Sequence, residues 1–213
     1  MPTKDKPAVS RAERKKEETK GRIVAVAMQL FNAQGVDAIT MEQIAEEVDI
    51  AKGTLYNYFP AKEAIIVEFI TQAFETENPR TILELEKMPD TRTRMLEMMR
   101  MLIEGVRQYK DIFEKFMVYR MKNMISIHSE EGGKGGFGEL AEIIITLGQK
   151  DDEIRKDLPI ELMINLFEFV FTEIVRQFYL RPDEFDSSEV IERCVELFIN
   201  GVRHDKSKSG KEV

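Results

Sequence analysis

The sequence predicts an all-α protein of about nine helices, with an N-terminal three-helix domain that holds a helix-turn-helix and a larger helical domain after it. Three observations carry this. Apolar residues recur at three- and four-residue spacing through most of the chain, the period of an amphipathic helix. No run alternates apolar and polar residues as a half-buried strand does. Between residues 40 and 58 two very short helical segments flank a three-residue turn, the spacing that sets one helix across another.

The first 15 residues mix Pro2 and Pro7 with Lys and Glu. They offer too little apolar surface to bury a face, so a disordered basic arm is expected over 1–15. A helix follows from about Glu17 to Ala33 on Ile23, Ala27, Leu30 and Phe31, with Gly35 as its stop. Thr40 opens the next helix. Its hydroxyl can accept a first-turn N–H, and Gln43 completes a capping box. Ile44, Ala45 and Val48 form the apolar side. Asp49-Ile50-Ala51 is the turn, and Lys52 to Tyr58 the second short helix, fastened by Leu55 and Phe59. A longer helix starts at Lys62 and is expected to stop near Glu77, because Asn78-Pro79 disfavours its continuation. Residues 80–87 suit a short helix. Two long helices follow, Thr91 to Tyr109 and Asp111 to about Ile127. Residues 131–136 form a glycine-rich loop that lacks both the spacing and the preceding strand of a phosphate loop. A helix is expected from Gly138 to Leu147. Another starts at Pro159, a residue suited to a first turn, and ends at Leu180. The last begins at Ser187 or Ser188 and ends near Gly201. The expected domains are a basic arm (1–15), the helix-turn-helix domain (16–62), the larger helical domain (63–203) and a loose polar tail (204–213).

Composition narrows the function. Hydrophobic residues make up 43% and charged residues 33%, the balance of an ordinary globular protein. The formal charge is -8, which by itself argues against a polyanionic partner. The charge is unevenly spread, however. Residues 1–22 hold eight Lys or Arg against four Asp or Glu, so a basic end precedes an acidic body. The single cysteine, Cys194, excludes an intrachain disulfide and reads as a small apolar packing residue. His128 and His204 stand far apart without clustered ligands, so no metal or other cofactor is expected. No nucleophile, base or metal set comes together, which argues against an enzyme. The charged start has no signal-peptide pattern and no apolar run reaches membrane-spanning length, so a cytoplasmic protein without membrane contact is expected.

The second short helix has the chemistry of a groove reader. Lys52 offers a cation to phosphates or guanine edges, and Gly53 lets a backbone approach closely. Thr54 can bond a phosphate or a base, and Tyr56 and Tyr58 carry hydroxyls that suit phosphate oxygens. Ile23, Ala27, Phe31, Gly35, Thr40, Ile44-Ala45, the run Gly53-Thr-Leu-Tyr-Asn-Tyr-Phe59 and Lys62-Glu63 together resemble the DNA-binding domain of the TetR family over about residues 20–66. Ile154-Arg-x-Asp-Leu-Pro159 is a weaker echo. The resemblance implies a homodimer on a palindromic double-stranded operator, usually a repressor, released by a small molecule held in the C-terminal domain. An activator or co-regulator would share the same fold. Carried onto this chain, the DNA-facing residues are Thr40, Lys52, Gly53, Thr54, Tyr56, Tyr58 and Lys62. Asp49 stands where the family usually has Gly, and Ala51 where Ser is common. Asp tolerates a left-handed backbone, so the turn survives, whereas Ala51 cannot cap its helix.

The acidic part has to supply the dimer and the regulatory site. From Pro159 to Leu180 the polar residues Glu161, Asn165, Glu168, Thr172 and Arg176 make one narrow stripe, and nearly everything else is apolar. A helix covering one core needs a stripe of only about 100°. This helix is therefore expected to pack on its own core and on a partner subunit, together with the last helix, through Phe169, Phe171, Phe178 and Phe198. Eight of the twelve Met residues lie between Met88 and Met124. Met suits an ordinary core as well as an adaptable cavity. The resemblance favours a cavity for a small lipophilic effector, walled by Met99, Ile103, Phe116, Met117, Tyr119, Phe167 and Phe171, with Tyr119, Arg120 and His128 as candidate polar contacts.

Overall fold

A computed structural model describes residues 10–124 and 136–203. The expected arm before Ser10, most of the glycine-rich loop with His128, and the tail from His204 lie outside the described residues. Nine α-helices account for nearly all of the rest: α1 (Arg11–Gln34), α2 (Met41–Val48), α3 (Lys52–Tyr58), α4 (Lys62–Leu85), α5 (Thr91–Gln108), α6 (Lys110–Met124), α7 (Gly136–Lys150), α8 (Ile160–Leu180) and α9 (Ser187–Val202). The one β pairing among the described residues is an isolated antiparallel bridge between Ile154 and Arg203. The chain is all-α, as its periodicity predicts. It forms two compact units. One holds residues up to Gln72 together with the stretch from Asp111 on α6; the other holds Ala73–Lys110 and the chain from α7 onward.

In the first unit α1 begins at Arg11, earlier than the apolar pattern indicates, so residues 11–15 are helical and not part of a disordered arm. The cause is a capping box. The Ser10 hydroxyl accepts the Glu13 N–H at 3.1 Å, and the Glu13 carboxylate accepts the Ser10 N–H at 2.7 Å. That second bond also holds the Glu13 carboxyl below the usual carboxylate range. Ile23, Val24, Ala27, Met28 and Phe31 form the buried face, and Gly35, at φ 86°, turns the chain out. Thr40 and Gln43 make the second capping box, at 3.2 and 2.8 Å. Asp49 ends α2 in the left-handed region, φ 58° and ψ 53°. Its N–H reaches the Glu46 carbonyl and the Ile50 N–H the Ala45 carbonyl, both at 3.0 Å. The expected turn is therefore formed, with Asp in the place of Gly. Ala51 precedes α3 with no side-chain cap. Leu55 and Phe59 are buried and fasten α3 to the unit.

Two ammonium groups hold the loop between α1 and α2. Lys62, the first residue of α4, donates to the carbonyls of Val36 at 2.7 Å and Ile39 at 2.6 Å. Lys115 of α6 donates to the Asp37 carboxylate at 2.8 Å, which holds that carboxyl below its usual range. Lys20 of α1 pairs with Glu68 of α4 at 2.7 Å.

The second unit begins inside α4, which runs through Pro79 without the break expected after Glu77. Pro79 is exposed, so the carbonyl one turn back that loses its N–H partner can turn to water. Asn78 beside it is buried, and its amide donates to the Gly136 carbonyl at 3.1 Å and the Glu139 carboxylate at 2.7 Å. These tertiary bonds outweigh the local preference against helix before proline. Arg94, buried on α5, donates to the carbonyls of Leu85 and Met88 and to the Asp151 carboxylate. It thereby ties the end of α4 and the end of α7 to α5. The core behind it holds Met95, Met98, Met99, Ile103, Leu140, Ile144, Met163, Phe167, Ile174 and Val195, each 2% exposed or less. The Met-rich stretch of α5 is thus interior.

The Lys62 clamp is open to a direct check. Lys62→Met removes a charged donor from two carbonyls, and a bond of that type contributes roughly 1.5–3 kcal/mol. The variant is expected to lose at least about 2 kcal/mol on denaturant unfolding. An unfolding midpoint equal to wild type would show that water replaces the ammonium without loss.

Candidate nucleic-acid interface

The turn at Asp49 carries α3 across α2, and Leu55 and Phe59 anchor it from below. The anchoring leaves Lys52, Gly53, Thr54, Tyr56 and Asn57 exposed and Tyr58 half-buried. Gly53 faces open space: a Cβ built on it would meet nothing within 4 Å. No packing inside the unit requires a glycine there. Thr40 is exposed; its oxygen accepts the Gln43 N–H, and its hydroxyl bonds the Glu42 carboxylate. The expected residues Thr40, Lys52, Gly53, Thr54, Tyr56 and Tyr58 are thus gathered on α3 and on the start of α2. Asn57 joins them, and no apolar period singles it out in the sequence.

Lys62 has a different employment from the phosphate contact expected of it. Two of its three protons serve the carbonyls of Val36 and Ile39, so it positions the loop that leads into Thr40. Lys52 also has a partner in its own unit. Its ammonium pairs closely with the Glu42 carboxylate in the first turn of α2 and lies 5.8 Å from the centre of the Tyr56 ring. The hydrogen bond between them raises the Lys52 pKa and lowers that of Glu42. Both groups are therefore ionised near neutral pH. Glu42 escapes a reading of the sequence because ten positions and a turn separate it from Lys52.

The expected effector residues fall into both units. Met99, Ile103, Phe167 and Phe171 are buried in the second. There Phe137 of α7, not expected from the sequence, joins Phe167 and Phe171 at ring distances of 5.7 and 5.4 Å. Phe116, Met117 and Tyr119 lie on α6 in the first unit. Phe116 is buried against Phe113 at 5.1 Å, under the Arg120 guanidinium, and the other two are half-buried.

Of the four residues expected at a subunit interface, Phe169 alone is exposed, at 54%. Phe171 stacks on Phe137, and Phe198 lies 5.1 Å from Phe167. Phe178 is enclosed by Phe185 and Tyr179. These three lie in the chain's own core. The apolar circumference of α8 divides in two: Met163, Phe167, Phe171, Ile174 and Phe178 point inward, whereas Leu162, Leu166, Phe169 and Leu180 point out. Leu197, 76% exposed, lies on the outer side of α9. Cys194 there is half-buried, and burial pushes its thiol pKa up. Among the described residues no three His, Cys, Asp or Glu side chains converge to hold a metal ion, and no helix is long and apolar enough to cross a membrane.

Residues 23–69 match the family model of bacterial regulatory proteins of the TetR family. The transcriptional repressor KstR of Rhodococcus jostii is 36% identical over 76 residues, 33% of this chain and 36% of that protein. The chain spans about a third of the length of the curated relatives it matches first. Among solved structures it is similar to FadR of Thermus thermophilus, a TetR-family repressor in complex with lauroyl-CoA, at 23% identity and a TM-score of 0.74, covering 85% of this chain and 94% of that one. It is also similar to RolR in complex with resorcinol, at 20% identity and a TM-score of 0.67, covering 90% of each. These two likenesses concern the fold. The match over residues 23–69 identifies the helix-turn-helix of this chain as a domain of the TetR-family type, and the helices among the described residues agree with the fold of these two solved structures.

Proposed function

We propose that the protein is a transcriptional repressor that binds a palindromic operator as a homodimer and is released by a small lipophilic effector. The observation that carries this reading is α3 itself. Its apolar side is buried, and its other side presents Gly53, Thr54, Tyr56 and Asn57 with nothing among the described residues within 4 Å of a Cβ at Gly53. A helix so presented enters a major groove, where Thr54 reads base edges and the Lys52 ammonium and the tyrosine hydroxyls hold phosphates.

The dimer rests on the outer face of α8 and α9. Leu162, Leu166, Phe169, Leu180 and Leu197 are exposed on these two helices. Water-exposed apolar patches of this kind mark association surfaces, and two copies related by a two-fold axis would cover one another. Two recognition helices must then lie about one DNA turn apart, roughly 34–36 Å, to enter successive grooves.

For the effector, the apolar interior of Met99, Ile103, Phe137, Phe167 and Phe171 suits an acyl chain or a small aromatic. FadR of Thermus thermophilus and RolR were solved with one compound of each kind. Within the first unit, α6 is tied to the DNA reader. Lys115, next to Phe116, holds Asp37, which is three residues before Thr40. A compound that moved α6 would disturb the loop leading into α2. By linkage, operator DNA and effector must weaken each other by the same factor.

Footprinting of the DNA upstream of the chain's own gene is the direct test, and a protected palindrome is the expected result. Three variants and titrations refine it. Gly53→Ala is expected to stabilise the fold by up to about 1 kcal/mol, the helix preference of Ala over Gly. It should also weaken operator binding about tenfold or more through loss of close approach. Unchanged affinity would remove Gly53 from the interface. Leu166→Asp and Phe169→Asp are expected to give folded monomers in sedimentation at micromolar concentration; wild type sedimenting as a monomer would refute the interface. Lauroyl-CoA and resorcinol, titrated with and without operator, should bind the free protein more tightly. Equal affinity in both titrations would refute the coupling.

A further inference from the structure

Residues 40–58, which hold both helices of the reader, carry four carboxylates, Glu42, Glu46, Glu47 and Asp49, and one cation, Lys52. All five residues are exposed. A motif offered to a polyanion thus has a net charge of three negative units, and its only cation is already spoken for by Glu42. The pair is open to solvent, with the two side chains 58% and 52% exposed, so a duplex can reach it. Thr40 and Gln43 form the capping box of α2, and the Glu42 carboxylate in the same first turn takes, besides Lys52, its own backbone N–H and the Thr40 hydroxyl.

We propose that Glu42 competes with DNA phosphate for the Lys52 ammonium and so limits how tightly the reader holds any duplex. The inference rests on the reading that α3 faces DNA. An ammonium has three donors but one unit of charge. When Glu42 neutralises that charge, Lys52 releases less than a full counterion on meeting a phosphate. To regain the full contact the phosphate must displace the carboxylate or tolerate it at close range, and like charges in a partly dehydrated interface repel. Non-specific affinity is almost wholly a count of such neutralised phosphates. A reader whose one cation is discounted therefore holds random DNA weakly and depends on groove contacts to hold its operator. Glu42 acts in this way as a specificity-determining residue without touching a base.

The test uses the full chain and an unrelated 30-base-pair duplex, with affinity measured by fluorescence anisotropy over a salt series. Glu42→Gln keeps the size of the side chain and removes its charge. It is expected to tighten binding about fivefold at low salt, the upper end for one exposed charge pair, and to steepen the salt slope by up to about 0.9, one further phosphate contact. In a Lys52→Met background the same change should gain clearly less, because the competition has no object. Unchanged or weaker binding by Glu42→Gln, with thermal melting equal to wild type, would overturn the proposal. So would an equal gain in the Lys52→Met background, which would reduce Glu42 to general repulsion. A wild-type chain that binds no duplex, operator or random, would instead overturn the DNA-binding reading beneath it.

Discussion

The reader depends on how the chain between α1 and α2 is held, and that falls to the Lys62 ammonium. The loop contains two carbonyls, Val36 and Ile39, that no helix ladder satisfies, and Lys62 supplies donors to both. Buried or half-buried carbonyls without partners are costly, so the loop has one favoured arrangement while Lys62 is in place. That arrangement fixes Thr40, Thr40 fixes the first turn of α2, and the left-handed Asp49 passes the direction on to α3. A phosphate contact and an internal clamp place opposite demands on a lysine. The first needs a mobile, solvated ammonium, and the second needs one that is spent. Two bonds of 2.7 Å or less inside the unit make Lys62 chiefly the second kind.

Charge shows a similar division of labour. The chain is acidic as a whole, and its reader is acidic as well. Exposed cations stand instead at the start of α1, where Arg11, Arg14, Lys15, Lys16 and Arg22 are all exposed, and on the proposed function these supply attraction to DNA. Lys20, in the same stretch, is turned inward to Glu68. Separation of long-range attraction from reading has a physical advantage. A charge acts at a distance of about a Debye length and on every sequence alike, whereas groove contacts act only when a helix is seated. With a net negative charge at the reader itself, a wrong sequence gains little from being occupied.

Most of the fold was legible because helix periods and end signals are local. Thr40 with Gln43, Gly35, Pro159 and the Lys52–Tyr58 helix all lie where composition placed them. Two errors have local and non-local causes. Ser10 with Glu13 is a capping box written in the sequence, and it starts α1 although few apolar residues surround it. Pro79 is the reverse case. Locally Asn78-Pro79 disfavours a continuing helix, and the bonds of Asn78 to Gly136 and Glu139, 58 and 61 positions away, override it. Of the candidate site, the residue types and the helix that carries them were legible. The pairs that modify them, Lys52 with Glu42 and Lys62 with two carbonyls, were not, since they join positions with no common period.

The four phenylalanines expected at an interface show why an apolar helix cannot be apportioned from its composition. In α8 the inward and outward apolar positions differ only in phase. Phe171 and Phe169 are two residues apart and belong to opposite faces, and no property of either side chain tells them apart. The decision lies with what α7 and α9 bring to the inner face. Phe137 stacks on Phe171 and lies against Phe167, while Phe198 covers Phe167 from the other side. Once those aromatic contacts are made, the phase of the helix is set, and Leu162, Leu166, Phe169 and Leu180 are turned outward with no further choice. The inner aromatic cluster thus determines the outer surface. On the proposed function, a ligand that separated Phe137 from Phe167 and Phe171 would act on the presentation of the α8 face too, so that effector binding and subunit association would draw on the same packing.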